Sequence, residues 1–137
     1  MNILLVDDDA GFNFLNSRLL RRLGVIEHLF VCDNGAKALK LIRKLKSNQN
    51  SIPKIILLDI KMPQMNGFDF LDSLQEMDLE MKEEIFVAML SSSVDPTDKL
   101  KSYAYPQVID YIEKPLDAGK FFTTLHKVRN KQNVQKI

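Results

Sequence analysis

Short apolar runs alternate with segments of helical spacing along the whole chain, and this alternation constrains the fold more than any other feature. The first run, Asn2 to Asp7, is rich in Ile, Leu and Val without a polar break, as expected of a strand covered on both faces. Five such rounds predict an α/β domain with a mainly parallel sheet. The other predicted strands are Leu29 to Cys32, Ile55 to Asp59, Ile85 to Leu90 and Val108 to Ile112.

Each run is followed by apolar residues three or four positions apart, which predicts a helix with one face on the sheet. Asp9 and the pair Asp95-Pro96 suit helix starts, and Gly24 suits the left-handed position just past a helix end. A last helix is expected to begin near Asp117. The residues predicted to face the core are, helix by helix, Phe12, Leu15, Leu19 and Leu23; Ala38, Leu41, Ile42 and Leu45; Phe70, Leu71 and Leu74; Leu100, Tyr103 and Ala104; and Phe121, Leu125 and Val128.

Length and charge narrow the class of protein. The 137 residues suffice for one domain with its own core and are too few for two. A net charge of +1 supplies no general attraction to nucleic acid or anionic lipid, and no apolar run reaches membrane-spanning length. The single cysteine, Cys32, cannot form an internal disulfide and is expected to be buried in a reducing compartment. We therefore expect a cytoplasmic protein that binds neither nucleic acid nor membrane.

Polar side chains lie at or just after the ends of four predicted strands. They are Asp7 and Asp8, Asp59, Ser91, and Lys114. In an open parallel sheet these ends share one edge, and ligands bind there where the strand order reverses. In the common strand order 2-1-3-4-5 the first and third strands are neighbours, which would bring the three aspartates together.

Three adjacent carboxylates repel one another, and without a counter-charge at least one would take up a proton. A divalent cation resolves this conflict, and oxygen donors without histidine or cysteine suit Mg²⁺. Together with Lys114 and the Ser91 hydroxyl, the crevice could hold phosphoryl oxygens while one carboxylate attacks phosphorus. Each element alone also has an ordinary structural explanation, such as a helix cap or a solvated charge.

Four segments in order resemble the receiver domain of two-component response regulators, and the similarity covers essentially the whole chain. They are Ile-Leu-Leu-Val-Asp-Asp-Asp at 3 to 9, Leu-Leu-Asp-Ile-Lys-Met-Pro-Gln-Met-Asn-Gly at 57 to 67, Met-Leu-Ser-Ser at 89 to 92, and Tyr-Ile-Glu-Lys-Pro-Leu at 111 to 116. The resemblance implies a flavodoxin-like (βα)5 three-layer sandwich with a five-stranded parallel sheet of order 2-1-3-4-5. It implies a receiver domain over 1–131 and a short polar tail over 132–137.

The resemblance also implies a phosphoacceptor chemistry. Asp59 would accept a phosphoryl group from a histidine kinase or a histidine phosphotransfer protein of a phosphorelay. Asp8, Asp59 and the main-chain carbonyl of Lys61 would bind Mg²⁺, with Asp7 acting through water. Lys114 and the Ser91 hydroxyl would bind the phosphoryl oxygens.

A conformational switch is implied as well. Phosphorylation would draw Ser91 toward the new oxygens and let Tyr111 rotate, changing the surface of helix 4, strand 5 and helix 5 where a downstream protein would bind. The domain would assist its own phosphorylation and dephosphorylation and would not be an enzyme acting on other substrates. Because no output domain follows residue 137, a stand-alone receiver is expected. Ser93 and Lys61 lie where side chains in this family tune phosphoryl lifetime.

Two alternatives compete with this interpretation. The Asp7-Asp8-Asp9 run also fits the opening of haloacid-dehalogenase-type phosphatases, with Asp7 as nucleophile. That alternative leaves Asp59 without a role and lacks a downstream acidic pair at the expected kind of position. The other alternative is a receiver-like binding module without chemistry, against which the full acidic set argues.

Overall fold

The computed structural model describes residues 1–48, 51–77, 82–92 and 95–135. Within these ranges five strands alternate with five α-helices. The strands are β1 (Asn2–Val6), β2 (His28–Cys32), β3 (Ile55–Asp59), β4 (Phe86–Ser91) and β5 (Val108–Glu113). The helices are α1 (Ala10–Arg22), α2 (Gly35–Leu45), α3 (Gly67–Glu76), α4 (Pro96–Tyr103) and α5 (Ala118–Gln135), and a short 3-10 turn, Lys82–Glu84, precedes β4.

The strands form one parallel sheet in the order β2-β1-β3-β4-β5, which confirms the predicted fold class. In the register between β1 and β3, Val6 lies opposite Leu58. The next residue on each strand is an aspartate, so Asp7 and Asp59 stand at the same level of the sheet edge. On the other side of β3, Asp59 lies opposite Leu90, and β4 ends one residue further at Ser91.

Both faces of the sheet are covered by helices, because alternate residues of each central strand enter different apolar clusters. Leu4 and Leu58 belong to the cluster that includes residues of α2 and α3, whereas Ile3 and Leu57 belong to the cluster that includes residues of α5. Every residue of β1 and β3 is buried. The continuous apolar runs of the sequence therefore correspond to the centre of a three-layer structure.

Several local predictions are confirmed. Asp9 and Asp95 cap α1 and α4, and Gly24 has the left-handed φ of 71°. The predicted core residues of α3 and α5 are buried. Cys32 is buried and forms no disulfide.

The predicted inward face of α4 is wrong, and that of α1 is right in part, since Leu19 and Leu23 pack against the apolar core. Leu15 is 60% exposed and Leu100 is 76% exposed. Instead α1 buries mainly polar residues, and α4 buries Ser102, which donates to the Asp98 carbonyl at 2.7 Å. Apolar spacing missed the polar part of the α1 face, where Asn13 is buried and its Nδ2 donates 2.8 Å to the Asp7 carbonyl that follows β1.

The boundaries differ slightly from those predicted. The first strand ends at Val6 instead of Asp7, and β5 continues to Glu113. Helix α5 continues to Gln135, through the first four residues of the predicted tail. The tuning position Ser93 lies outside the described residues. None of the described helices is both long and apolar enough to traverse a bilayer.

Candidate functional site

Three aspartates meet at the carboxyl edge of the sheet, as the strand order predicts. One carboxylate oxygen from each of Asp7, Asp8 and Asp59 lies within 4.8 Å of the other two. Asp7 is completely buried and Asp59 is 5% exposed, whereas Asp8 is exposed. The cluster therefore has two dehydrated members and one that faces solvent.

The loop after β1 is held by main-chain and side-chain bonds around Asp7. Its N–H donates to the Cys32 carbonyl at 3.2 Å, and its Oδ1 accepts from the Asp9 N–H at 2.9 Å. Its carbonyl accepts from Asn13 Nδ2 at 2.8 Å. Asp7 is thereby tied to β2 and α1, and Asp8 is carried into position by its anchored neighbours.

The loop after β3 folds back against Asp59. The Ile60 N–H donates to the Leu90 carbonyl at 3.2 Å, and the Gly67 N–H donates to the Ile60 carbonyl at 2.8 Å. A Cβ at Gly67 would lie 2.8 Å from the Asp59 carbonyl oxygen, so no larger residue fits without a backbone shift. Lys61, the predicted carbonyl ligand, is in this loop and its side chain is exposed.

Lys114 is the cation of the site. Its Nζ lies 2.8 Å from Asp7 Oδ2 and 3.3 Å from Asp59 Oδ1, with the side chain 7% exposed. The ammonium also lies 4.4 Å from the centroid of the Phe12 ring. Burial by itself lowers the pKa of Lys114, but the hydrogen bond to Asp7 and the charge of Asp59 outweigh burial and raise the pKa above its ordinary value. Lys114 is therefore held as an ammonium.

The negative charge of the cluster exceeds what one ammonium neutralises. Burial, and then the charge of Asp7, raise the pKa of Asp59 to about 7, although Lys114 acts in the opposite direction. Because the ionised form of Asp59 is disfavoured, a further cation bound next to it would be stabilised. Oxygen donors in this arrangement fit a hard divalent ion, so the cluster could hold a metal.

The two predicted switch residues lie on neighbouring strands. Ser91 is 2% exposed, and its carbonyl accepts from the Lys114 N–H at 2.7 Å. Tyr111 is half-buried and lies opposite Met89, two residues before Ser91 on β4. The Tyr111 N–H donates to Asp110 Oδ1 at 2.9 Å. All the sequence-predicted site residues thus lie at this edge or on the strands that lead to it.

Sequence reasoning missed two contributors to the site. Phe12 was assigned to the core, but its ring also contacts the ammonium of Lys114. Asn13 was not singled out, although the N-cap at Asp9 places it one helical turn further on, beside the end of β1. The predicted helix cap at Asp9 was the sequence feature from which the position of Asn13 could have been inferred.

Comparisons with known proteins agree with the fold and identify the family. A family model for the response regulator receiver domain matches residues 3–126. The transcriptional regulatory protein DcuR of Escherichia coli K12 is 31% identical over 96% of this chain and 52% of its own length. The chain thus spans about half the length of this curated relative. The probable methanogenesis regulatory protein FilR2 of Methanothrix harundinacea is 28% identical over 93% of this chain and 80% of its own length.

Solved structures show the same similarity. A two-component response regulator from Cytophaga hutchinsonii has a TM-score of 0.87 and 35% identity, over 94% of this chain and 96% of that one. A receiver protein from Dyadobacter fermentans has a TM-score of 0.77 and 29% identity, over 93% and 97% of the two chains. These matches give no support to the phosphatase alternative. With the strand order and the acidic cluster they show that the chain belongs to the response regulator receiver domains of two-component signalling.

Proposed function

We propose that the chain is a phosphoacceptor of a two-component phosphorelay, with Asp59 as the residue that takes the phosphoryl group. The observation that supports this proposal is that Asp59 lies in one cluster with the two aspartates that follow β1, with its Oδ1 3.3 Å from the Lys114 ammonium. The phosphoryl donor would be a histidine kinase or a histidine phosphotransfer protein. The domain would signal to its partner and would act on no substrate other than its own phosphoryl group.

The chemistry would be a displacement at phosphorus. An oxygen of Asp59 attacks the phosphorus of a phosphohistidine, a P–O bond forms, and the P–N bond breaks with its electron pair returning to the imidazole nitrogen. Lys114 and the Ser91 hydroxyl would bind the phosphoryl oxygens. Dephosphorylation is the attack of water on the same phosphorus, which releases inorganic phosphate and restores the carboxylate. The chain would thus assist both the gain and the loss of its phosphoryl group.

Mg²⁺ fits the donor set of this site. Asp8, Asp59 and the Lys61 carbonyl would hold the ion, with Asp7 acting through water. The short ion pair between Asp7 and Lys114 supports an indirect role for Asp7, since that carboxylate already has a cationic partner at 2.8 Å. When bound, the ion would offset the charge of the carboxylates and of the transferring phosphoryl group.

The output would pass through the face formed by α4, β5 and α5. Ser91 and Tyr111 are proposed as the switch because they lie on adjacent strands, within two residue positions of each other in the register. The face displays exposed apolar side chains at Leu100, Tyr103 and Val134, which suit a protein partner. The receiver domain is proposed to span 1–131, with a polar tail over 132–137. That the domain binds neither nucleic acid nor membrane stays a prediction.

Labelling with radioactive acetyl phosphate tests the proposal. Wild type should be labelled only with Mg²⁺, and Asp59→Asn should lose the label. Asp33→Asn is the matched control because Asp33 is an exposed aspartate that follows β2, outside the three-aspartate cluster. Label retained in Asp59→Asn but lost when Asp7 is also replaced would support the phosphatase alternative. A wild type that takes no label would indicate a receiver-like module without chemistry.

A further inference from the structure

We infer that Lys120 is a positioning residue that holds the backbone on both sides of Lys114 and so presents the Lys114 ammonium to the aspartates. This inference rests on the proposed phosphoacceptor function. Lys120 Nζ donates 2.8 Å to the Glu113 carbonyl and 2.9 Å to the Pro115 carbonyl. These carbonyls belong to the residues immediately before and after Lys114.

The Lys120 contacts complete a three-point attachment of this segment. The Lys114 N–H donates 2.7 Å to the Ser91 carbonyl, which ties the segment to β4. Pro115 has no N–H, so it cannot supply a comparable main-chain bond to the sheet. Glu113 and Pro115 are both exposed, and among the bonds found in the described residues it is Lys120 that joins their two carbonyls. Without Lys120, the segment would rely on the Lys114 bond to β4 and on the buried side chain of Leu116.

The location of Lys120 in the helix argues for a role outside the helix itself. It is the third residue of α5, and its N–H donates 2.7 Å to Asp117 Oδ1. Helix N-termini favour negative side chains and disfavour cations. In α3 the corresponding residue is Asp69, which completes a capping box with Asn66. A lysine at this point of α5 opposes that preference, and its bonds to the two carbonyls supply the compensating interaction.

The geometry at the far end of Lys114 shows why its backbone position matters. Its Nζ contacts Asp7 at 2.8 Å and Asp59 at 3.3 Å, so a main-chain displacement of about 1 Å would lengthen one of these contacts unless the side chain changed its rotamer. Lys120 itself contacts neither aspartate among its described hydrogen bonds. It is therefore expected to act on phosphoryl binding through Lys114 and to leave the carboxylate cluster unchanged.

Beryllofluoride, a mimic of the phosphoryl group, and Mg²⁺ alone separate these two effects. We expect K120M to weaken beryllofluoride binding in the presence of Mg²⁺ roughly tenfold, with a similar slowing of acetyl phosphate labelling. The affinity for Mg²⁺ alone should stay within about twofold of wild type, because the metal would be held by carboxylates that Lys120 does not contact. K120R, which keeps the charge and the donors, should restore most of the loss. Both affinities are measured by titration calorimetry.

K131M is the matched control, since Lys131 is an exposed lysine of the same helix, away from the Lys114 segment. Thermal unfolding is recorded for each variant, and K120Q replaces K120M if the latter does not fold. The role of Lys120 would be overturned if K120M lost Mg²⁺ affinity and beryllofluoride affinity equally, or if K120R did not restore the beryllofluoride affinity. It would also be overturned if K120M bound beryllofluoride as tightly as K131M. Wild type that binds no beryllofluoride with Mg²⁺ would instead overturn the proposed function, and this inference with it.

Discussion

Replacing Asp59 by asparagine should stabilise the metal-free protein above neutral pH. Asp59 is 5% exposed and lies beside Asp7, and burial followed by the charge of Asp7 raises its pKa to about 7. Asparagine has the same shape without the charge. The substitution therefore removes the cost of ionising this carboxylate in the folded state, and its benefit should grow as the pH rises from 3.8 to about 7.

The pKa values set both the sign and the pH range of this effect. A raised pKa in the folded state favours the protonated form, so the contribution of Asp59 to stability is complete below 3.8 and is lost as the pH rises through about 7. The difference between these two values corresponds to an upper limit of about 4 kcal/mol. Because the exposed Asp8 shows that solvent reaches the cluster and screens its charges, we expect about 2 kcal/mol.

Urea unfolding in the presence of a chelator, followed by circular dichroism, measures this difference. The stability of Asp59→Asn relative to wild type should be about 2 kcal/mol greater at pH 8 than near pH 4. Asp33→Asn should show no such increase, because a hydrogen bond from Lys37 lowers the pKa of Asp33. The explanation is refuted if the Asp59 variant has the same relative stability at both pH values, or is the less stable protein at pH 8.

Three further substitutions test the metal site, the loop and the β5–α5 contact. Saturating Mg²⁺ should raise the melting temperature of wild type by several degrees, and Asp8→Asn should abolish that rise; an unchanged rise would locate the ion elsewhere. Gly67→Ala should lower the free energy of unfolding in urea by about 2 kcal/mol, because the new Cβ would lie 2.8 and 3.0 Å from backbone atoms. Gly119→Ala should leave that free energy nearly unchanged, because its Cβ would lie 3.4 Å from a side-chain oxygen. Thr124→Val should lower the free energy of unfolding by about 1 to 2 kcal/mol, because it removes a 2.6 Å hydrogen bond to the buried carboxylate of β5. An equal loss in the exposed Thr123→Val would contradict this explanation.

The sheet and the location of the site were predictable because both follow from strand patterns. Residues of β1 and β3 are buried on both faces, so each strand reads as an unbroken apolar run that stops where the polar edge begins. Parallel strands then bring Asp7 and Asp59 together whatever the details of the loops. These features depend on short stretches of sequence and on one topological rule.

The buried face of α4, the polar part of the α1 face and the individual side-chain contacts were not predictable from spacing. In α1, the side-chain amide of Asn13 donates to a main-chain carbonyl at the edge of the sheet. Every residue has a main-chain carbonyl, so the sequence does not indicate which one a side chain will contact. The contacts of Lys120 escape prediction for the same reason, since both of its acceptors are main-chain oxygens. Which carboxylate Lys114 approaches most closely depends on side-chain rotamers and on strand register, which residue type does not encode.

Two identical residues in succession have acquired opposite surroundings at the end of β1. Just past the strand, Asp7 is held inside the protein with no exposure, whereas Asp8 lies in water. A substitution at position 8 would therefore change the charge of the candidate cation site with little loss of buried contacts. A substitution at position 7 would remove a buried carboxylate together with its bond from the Asp9 N–H and its ion pair with Lys114, so that position has little freedom to vary.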